Sequence, residues 1–104
     1  MSISVANVTN TVTAVYTSSG NTAVTFMSLC NYSAGNVTAN VYLVPSGDTA
    51  GNTNIVLSSL GLTAEDTYQL YSGGEKLLFA NGDSIQVDAS DNNAVTVVVS
   101  HTPI

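Results

Sequence analysis

The single cysteine and the single histidine are the first side chains to consider for chemistry. Catalysis by Cys30 and His101 would need the two groups to meet and a third group to orient the imidazole. No motif near either residue supplies that third group, and Cys30 lies in an apolar stretch where a thiol behaves as a small hydrophobic side chain. One Cys and one His also fall short of the four ligands of a closed zinc site. The sequence therefore predicts no catalytic residue and no zinc.

Calcium is the alternative metal, because carboxylate and amide oxygens gather near the end of the chain. Asp83, Asp88 and Asp91 are close in sequence to three asparagines, Asn81, Asn92 and Asn93. Asp and Asn are also favoured in turns, where their side chains bond the local backbone. The spacing matches no known calcium loop, so we predict no cofactor and leave a calcium ion near Asp83 and Asp91 open.

Aromatic side chains allow one further binding function, recognition of a sugar. Five tyrosines and no tryptophan are present. Tyrosine is also common on ordinary sheet surfaces, and this structural role is the preferred interpretation. A carbohydrate-binding module stays an alternative.

Composition and charge exclude several classes of protein. The 104 residues contain seven acidic side chains, one Lys and no Arg, which leaves a formal net charge of −6. A chain with one cation cannot neutralise a row of phosphates, so nucleic-acid binding by charge is excluded, as is a polybasic membrane surface. Val, Ser, Thr and Asn supply 51 residues, and no apolar run approaches the ~20 residues that span a bilayer. We expect a protein made in the cytoplasm, since the first residues lack the features of a signal peptide.

The elements that would position these side chains are predicted to be strands. Turn residues recur every 8–12 residues between β-branched runs that alternate with period two, which indicates one all-β domain over 1–104. We expect a small antiparallel β-sandwich, jelly-roll or immunoglobulin-like, with a small β-barrel as the alternative. The predicted strands are 3–9, 11–17, 22–31, 36–45, 53–60, 66–71, 76–80, 83–90 and 94–101. Thr63–Asp66 resembles a helix start, but the run that follows is too short, so we predict a turn.

Two local features make more specific predictions. Asn81-Gly82 is the strongest hairpin signal in the chain and predicts that the strands before and after it pair. In the third predicted strand, strict alternation places Val24, Phe26 and Cys30 on one face and Met27 and Leu29 on the other.

A strand that is apolar on both faces is either covered twice or meets another protein. We therefore predict Met27 and Leu29 as a protein interface that supports a weak oligomer in solution and an ordered one on a larger particle.

Several motifs together resemble a known family. They are FMSLCN at 26–31, NVTANVYLVPSG at 36–47, TYQL at 67–70, EKLLFANGDSIQV at 75–87 and a valine-rich strand at 95–100. In this order they resemble the small β-sandwich virion proteins of tailed bacteriophages, especially cyanophages. The resemblance covers about residues 22–101.

The resemblance implies a non-enzymatic structural protein located in the virion, with no catalytic residues to transfer. We expect a decoration or cement protein on the phage head, whose partner is the major capsid protein or another virion protein. A tail, neck or baseplate adaptor or fibre-associated subunit is the alternative location.

Overall fold

The computed structural model describes residues 2–70 and 77–104, and it is built from strands. Each predicted strand is present, with bounds within two residues of those expected, except that the predicted bounds at 71 and 76 lie outside the described residues. The strands are β1 Ser2–Val8, β2 Thr13–Thr17, β3 Thr22–Asn31, β4 Val37–Val44, β5 Ile55–Leu62, β6 Thr67–Leu70, β7 Leu77–Phe79, β8 Ser84–Ala89 and β9 Val95–Pro103. In this part of the chain no helix could cross a membrane.

The strands form two antiparallel sheets that pack face to face. Sheet A has the order β1-β9-β3-β6, and β7 also pairs with β3. Sheet B has the order β2-β8-β4-β5. The all-β prediction is confirmed, and two separate sheets fit a small sandwich better than the barrel alternative.

The core lies between the two sheets and follows the predicted alternation. Every second side chain is buried from Ile85 to Ala89 in β8 and from Val95 to Val99 in β9, and the intervening ones are half-buried. β4 shows the same pattern over most of its length. The buried positions on these strands are Val37, Ala39, Val41, Ile85, Val87, Ala89, Val95, Val97 and Val99. Because this pattern needs only period two and a buried face, it was readable from the sequence.

The hairpin predicted at Asn81-Gly82 is wrong. β7 pairs with β3 in sheet A, whereas β8 lies in sheet B between β2 and β4, so the turn carries the chain from one sheet to the other. The Asp83 amide donates to the Ala80 carbonyl at 3.2 Å, and Gly82 has a φ of 89° while Asn81 does not have a positive φ. This is the pattern of a type II turn, whereas the common hairpin turn of Asn-Gly needs a positive φ at both residues.

The turn predicted at Thr63–Asp66 is confirmed. The Asp66 amide donates to the Thr63 carbonyl at 3.1 Å, and the Thr63 hydroxyl donates to the Asp66 carboxylate at 3.1 Å. Glu65 takes a φ of 62°, which ends any helical path.

Candidate interaction surface on sheet A

A β-bulge in β3 decides which of its side chains face outward. The register with β9 shifts between Val24 and Phe26, so one extra residue enters the strand there. Val24 therefore faces the core together with Met27 and Leu29, and all three are 0% exposed. The half-buried Phe26 and Cys30 lie on the outside instead.

The prediction of an interface at Met27 and Leu29 is corrected by this geometry. Both side chains are enclosed by the core of their own chain, so no partner can reach them in this fold. Replacing both with Asp would bury two carboxylates in the core, and we now expect that variant to unfold. Both faces of the strand carry apolar residues, as expected. Phe26 and Cys30 are the ones on the outer face, whereas Met27 and Leu29 are in the core.

The outer face of sheet A is a continuous surface of hydroxyl and apolar side chains. Cross-strand pairing aligns Val5 with Val98 and Ser28, and Ile3 with Ser100 and Phe26. We call this the sheet A surface; it comprises Ile3, Val5, Phe26, Ser28, Cys30, Thr96, Val98 and Ser100. Ile3 and Val5 are 69% and 70% exposed, among the most exposed large apolar side chains of the described residues.

The sheet A surface contains no charged residue, although the chain is strongly acidic. The carboxylates in the described ranges lie in loops or on sheet B, and they are Asp48, Glu65, Asp66, Asp83, Asp88 and Asp91. Glu75 and Lys76 are outside the described residues. The negative charge is thus segregated from the sheet A surface.

The outer face of sheet B differs because its polar groups bind one another. Asn40 donates to the Asp88 carboxylate at 2.7 Å and accepts a hydrogen bond from the Ser59 amide at 2.8 Å. Burial of the ring and the nearby Asp88 charge, in that order, raise the pKa of the Tyr42 hydroxyl. This face carries charge and satisfied hydrogen bonds, so it is a poorer surface for apolar contact.

Cys30 and His101 are not brought together. Cys30 pairs with Thr96 across β3 and β9, and His101 lies five residues further along β9, which separates them by about 17 Å. The His101 ring lies instead against the Tyr16 ring, with 4.4 Å between centroids, and its Nε2 shares a 3.1 Å hydrogen bond with Ser4 Oγ.

The Ser4–His101 pair was not found from the sequence, because 97 residues separate its members and only the β1–β9 pairing joins them. Among the described carboxylates none is hydrogen-bonded to His101. The pair therefore lacks the third group that orients a catalytic imidazole.

The candidate calcium ligands are also separated. Asp83 and Asp91 flank opposite ends of β8, which places them about 20 Å apart. The Asp83 carboxylate accepts hydrogen bonds from the Ser46 and Ala80 amides, both at 2.9 Å, and Asp88 is bonded to Asn40. Within 2–70 and 77–104 no three metal-binding side chains cluster. The turn-forming role of Asp83 is the one supported by its contacts.

The tyrosines are dispersed over the fold. Tyr16 packs against Phe79 and His101, Tyr42 is on sheet B, and Tyr32 donates to the Asn7 side chain. Tyr71 lies outside the described residues. The four described rings do not form one platform of the kind that stacks on a sugar.

One groove of the described structure lies at one end of the sandwich. It has a volume of about 410 Å³ and is bordered by Val37, Leu62 and Ser90. Beside it, buried Asn31 donates to the carbonyls of Leu62 and Thr63 at 3.0 and 3.1 Å. The lining has no titratable group, so it offers no acid or base that could activate its Ser and Thr hydroxyls.

Comparisons with known proteins give no relative from which a function could be transferred: no family model, no curated protein and no solved structure matches the chain.

Proposed function

We propose that this chain is a non-enzymatic structural protein of a virus particle, a decoration or cement protein that stabilises a phage head. The observation that carries the proposal is the uncharged sheet A surface, on which exposed apolar side chains lie beside several hydroxyl groups. Protein interfaces share the lack of charge, since charged residues are depleted at their centres. The resemblance of the sequence motifs to phage virion proteins supports the same role.

The charge distribution favours the outside of the head over its interior. A chain of net charge −6 would be repelled by packaged DNA. The major capsid protein, or another protein of the shell, is the proposed partner, and it would meet the sheet A surface while the carboxylates stay in solvent.

The first test is the copy number in purified virions, measured by quantitative mass spectrometry. A decoration protein should be present in hundreds of copies, because a shell offers that many equivalent sites. Roughly 3 to 18 copies would instead favour the tail, neck or baseplate, where symmetry is cyclic and low. Absence from virions would overturn the proposal.

A pair of variants tests the surface itself. Val98→Lys places a charge at the centre of the sheet A surface, and Val56→Lys makes the same change at a 44% exposed position on sheet B. We expect both to fold by circular dichroism and only Val98→Lys to lose incorporation into particles. Equal incorporation of the two variants would show that another surface contacts the particle.

The carbohydrate-binding alternative is tested separately. Binding on a glycan array, or a raised melting temperature with host surface polysaccharide, would favour it over the structural role.

A further inference from the structure

β1 is an unprotected edge strand. It forms the end of sheet A and pairs with β9 through seven consecutive residues with no shift of register. Among the described residues, Ser2–Val8 make no backbone hydrogen bond outside this pairing. The side of the strand that faces away from β9 therefore presents a row of free amide and carbonyl groups.

The edge strands of sheet B have features that normally prevent strands from pairing between molecules. β2 has a bulge between Ala14 and Tyr16. β5 has two irregularities of register against β4, and its Ser59 has a φ of 52°. β1 has no bulge, proline or charged residue, so in contrast to β2 and β5 it is flat and open.

The side chains of β1 suit an identical strand. Ile3, Val5 and Asn7 lie on the outer side of the sheet, whereas Ser4 and Ala6 are directed inward and are half-buried. When a second copy pairs antiparallel with β1, outward side chains stay on the outer face only if odd-numbered residues lie opposite odd-numbered residues and even-numbered opposite even-numbered. The register centred on Val5 meets this condition and pairs all seven residues, with Ile3 opposite Asn7.

Charge also favours a second copy at this edge over the others. Two chains of net charge −6 repel each other, and Asp66 directly precedes β6 at the opposite edge of sheet A. β1 contains no carboxylate, so pairing two copies of this strand brings no negative charges of the strand together. The pairing also joins the two sheet A surfaces into one wider sheet.

We propose that two copies of this chain associate by antiparallel pairing of β1 with β1, with Val5 opposite the second copy's Val5 on a twofold axis. The interface is a strand edge, so it differs from the core positions Met27 and Leu29, and it does not depend on the location of the protein in a virion.

Disulfide trapping tests the register in the full chain with Cys30→Ser, so that only an introduced thiol can react. Val5→Cys places the two introduced residues directly opposite each other. Their Cα atoms would be about 4.5–5.5 Å apart, which is a separation that a disulfide spans. Ile3→Cys places its thiols four residues apart, about 13 Å, which a disulfide cannot bridge. We expect Val5→Cys to form covalent dimers under mild oxidation at least about tenfold faster than Ile3→Cys.

A mixture of the Ile3→Cys and Asn7→Cys proteins should form a mixed dimer, since these positions are opposite each other in the proposed register. Equal trapping of Val5→Cys and Ile3→Cys would overturn the register, because random collision does not distinguish these two exposed positions.

Sedimentation of the unmodified protein tests the association itself. We expect a dimer whose fraction grows with protein concentration and with salt, which screens the repulsion between the chains. Val5→Lys should give a monomer, and Val56→Lys should keep the dimer. A parent that stays monomeric at millimolar concentration would overturn the proposal and leave the β1 edge to a strand of another protein. A dimer lost in Val98→Lys but kept in Val5→Lys would show packing between sheet faces instead.

Discussion

Asn31, at the end of β3, offers a sharp test of how polar bonding holds one end of the sandwich. Its side chain is 0% exposed. The Nδ2 group donates toward the carbonyls of Gly35, Leu62 and Thr63 at 2.8, 3.0 and 3.1 Å. Its Oδ1 accepts from the Ser33 amide at 3.0 Å and hydroxyl at 2.7 Å. The side chain thus fastens the turn after β3 to the end of β5.

The expected loss of stability follows from counting these bonds. The two amide hydrogens make two full donations and Oδ1 accepts two, so Asn31→Ala removes four hydrogen bonds at about 1 kcal/mol each, or about 4 kcal/mol. Small domains unfold with about 5–15 kcal/mol in total, so this variant should be close to marginal.

Asn31→Asp is more discriminating because it keeps the shape. The second oxygen would face carbonyl oxygens instead of donating to them. Residues 2–70 and 77–104 contain no Lys or Arg that could offset the buried carboxylate. We expect a loss at neutral pH at least as large as that of Asn31→Ala. Burial would raise the pKa of the new carboxyl in the folded state, so the loss should shrink as the pH falls and the group is neutralised.

Urea unfolding followed by circular dichroism measures both changes, since the chain has no Trp. Asn52→Asp is the matched control, because it adds the same charge at an exposed loop position and should change stability by less than about 0.5 kcal/mol. If Asn31→Asp is as stable as Asn52→Asp, the buried amide does not hold this end of the fold.

Three further changes test other parts of the structure. Leu29→Ala should lower the free energy of unfolding by about 2–5 kcal/mol, because the side chain is 0% exposed in the core, and urea unfolding measures it. Asp88→Asn should lower the raised pKa of Tyr42 part of the way toward that of free tyrosine, as followed by the ultraviolet absorbance of tyrosinate. Gly82→Ala should destabilise the protein in thermal unfolding, because Gly82 has a φ of 89° and an added Cβ would lie 2.6 Å from Ser46 Oγ.

Each of these changes has a result that would contradict it. A Leu29→Ala protein of unchanged stability would mean that this face of β3 is not in the core. An unchanged Tyr42 titration in Asp88→Asn would leave burial as the only cause of the shift. The raised pKa of Tyr42 means that the folded state favours the neutral hydroxyl. Its contribution to the stability of the fold is complete below a pH of about 10, and it is lost as the pH rises through the folded-state pKa. A Tyr42→Phe protein should lack that alkaline loss. A Gly82→Ala protein of normal stability would mean that the turn can take another form.

Much of the fold could be predicted from the sequence because strands and turns are local. Alternation of β-branched and polar residues marked β4, β8 and β9 most clearly, and the buried face of β9 followed from Val95, Val97 and Val99. The same information placed the turns. The one at Thr63–Asp66 was predicted because the run that follows is too short for a helix, and Glu65 has a φ of 62° there.

The partner of each strand was decided only in the folded chain. Asn81-Gly82 predicts a turn, but whether the chain then returns to the same sheet depends on which core surface β8 covers. The bulge in β3 is likewise absent from the local pattern. It places Val24 on the inner face with Met27 and Leu29, whereas strict alternation places Val24 on the same face as Phe26.

Met27 and Leu29 are therefore not the interface. The candidate surfaces are the opposite face of the same strand and the edge of β1. Composition determined that the surface would be poor in charge, but only the order of the strands shows where the exposed apolar residues and the free backbone edge lie. Side-chain alternation is set by each residue and its neighbours, whereas sheet membership, bulges and edges arise from contacts between residues far apart in the chain.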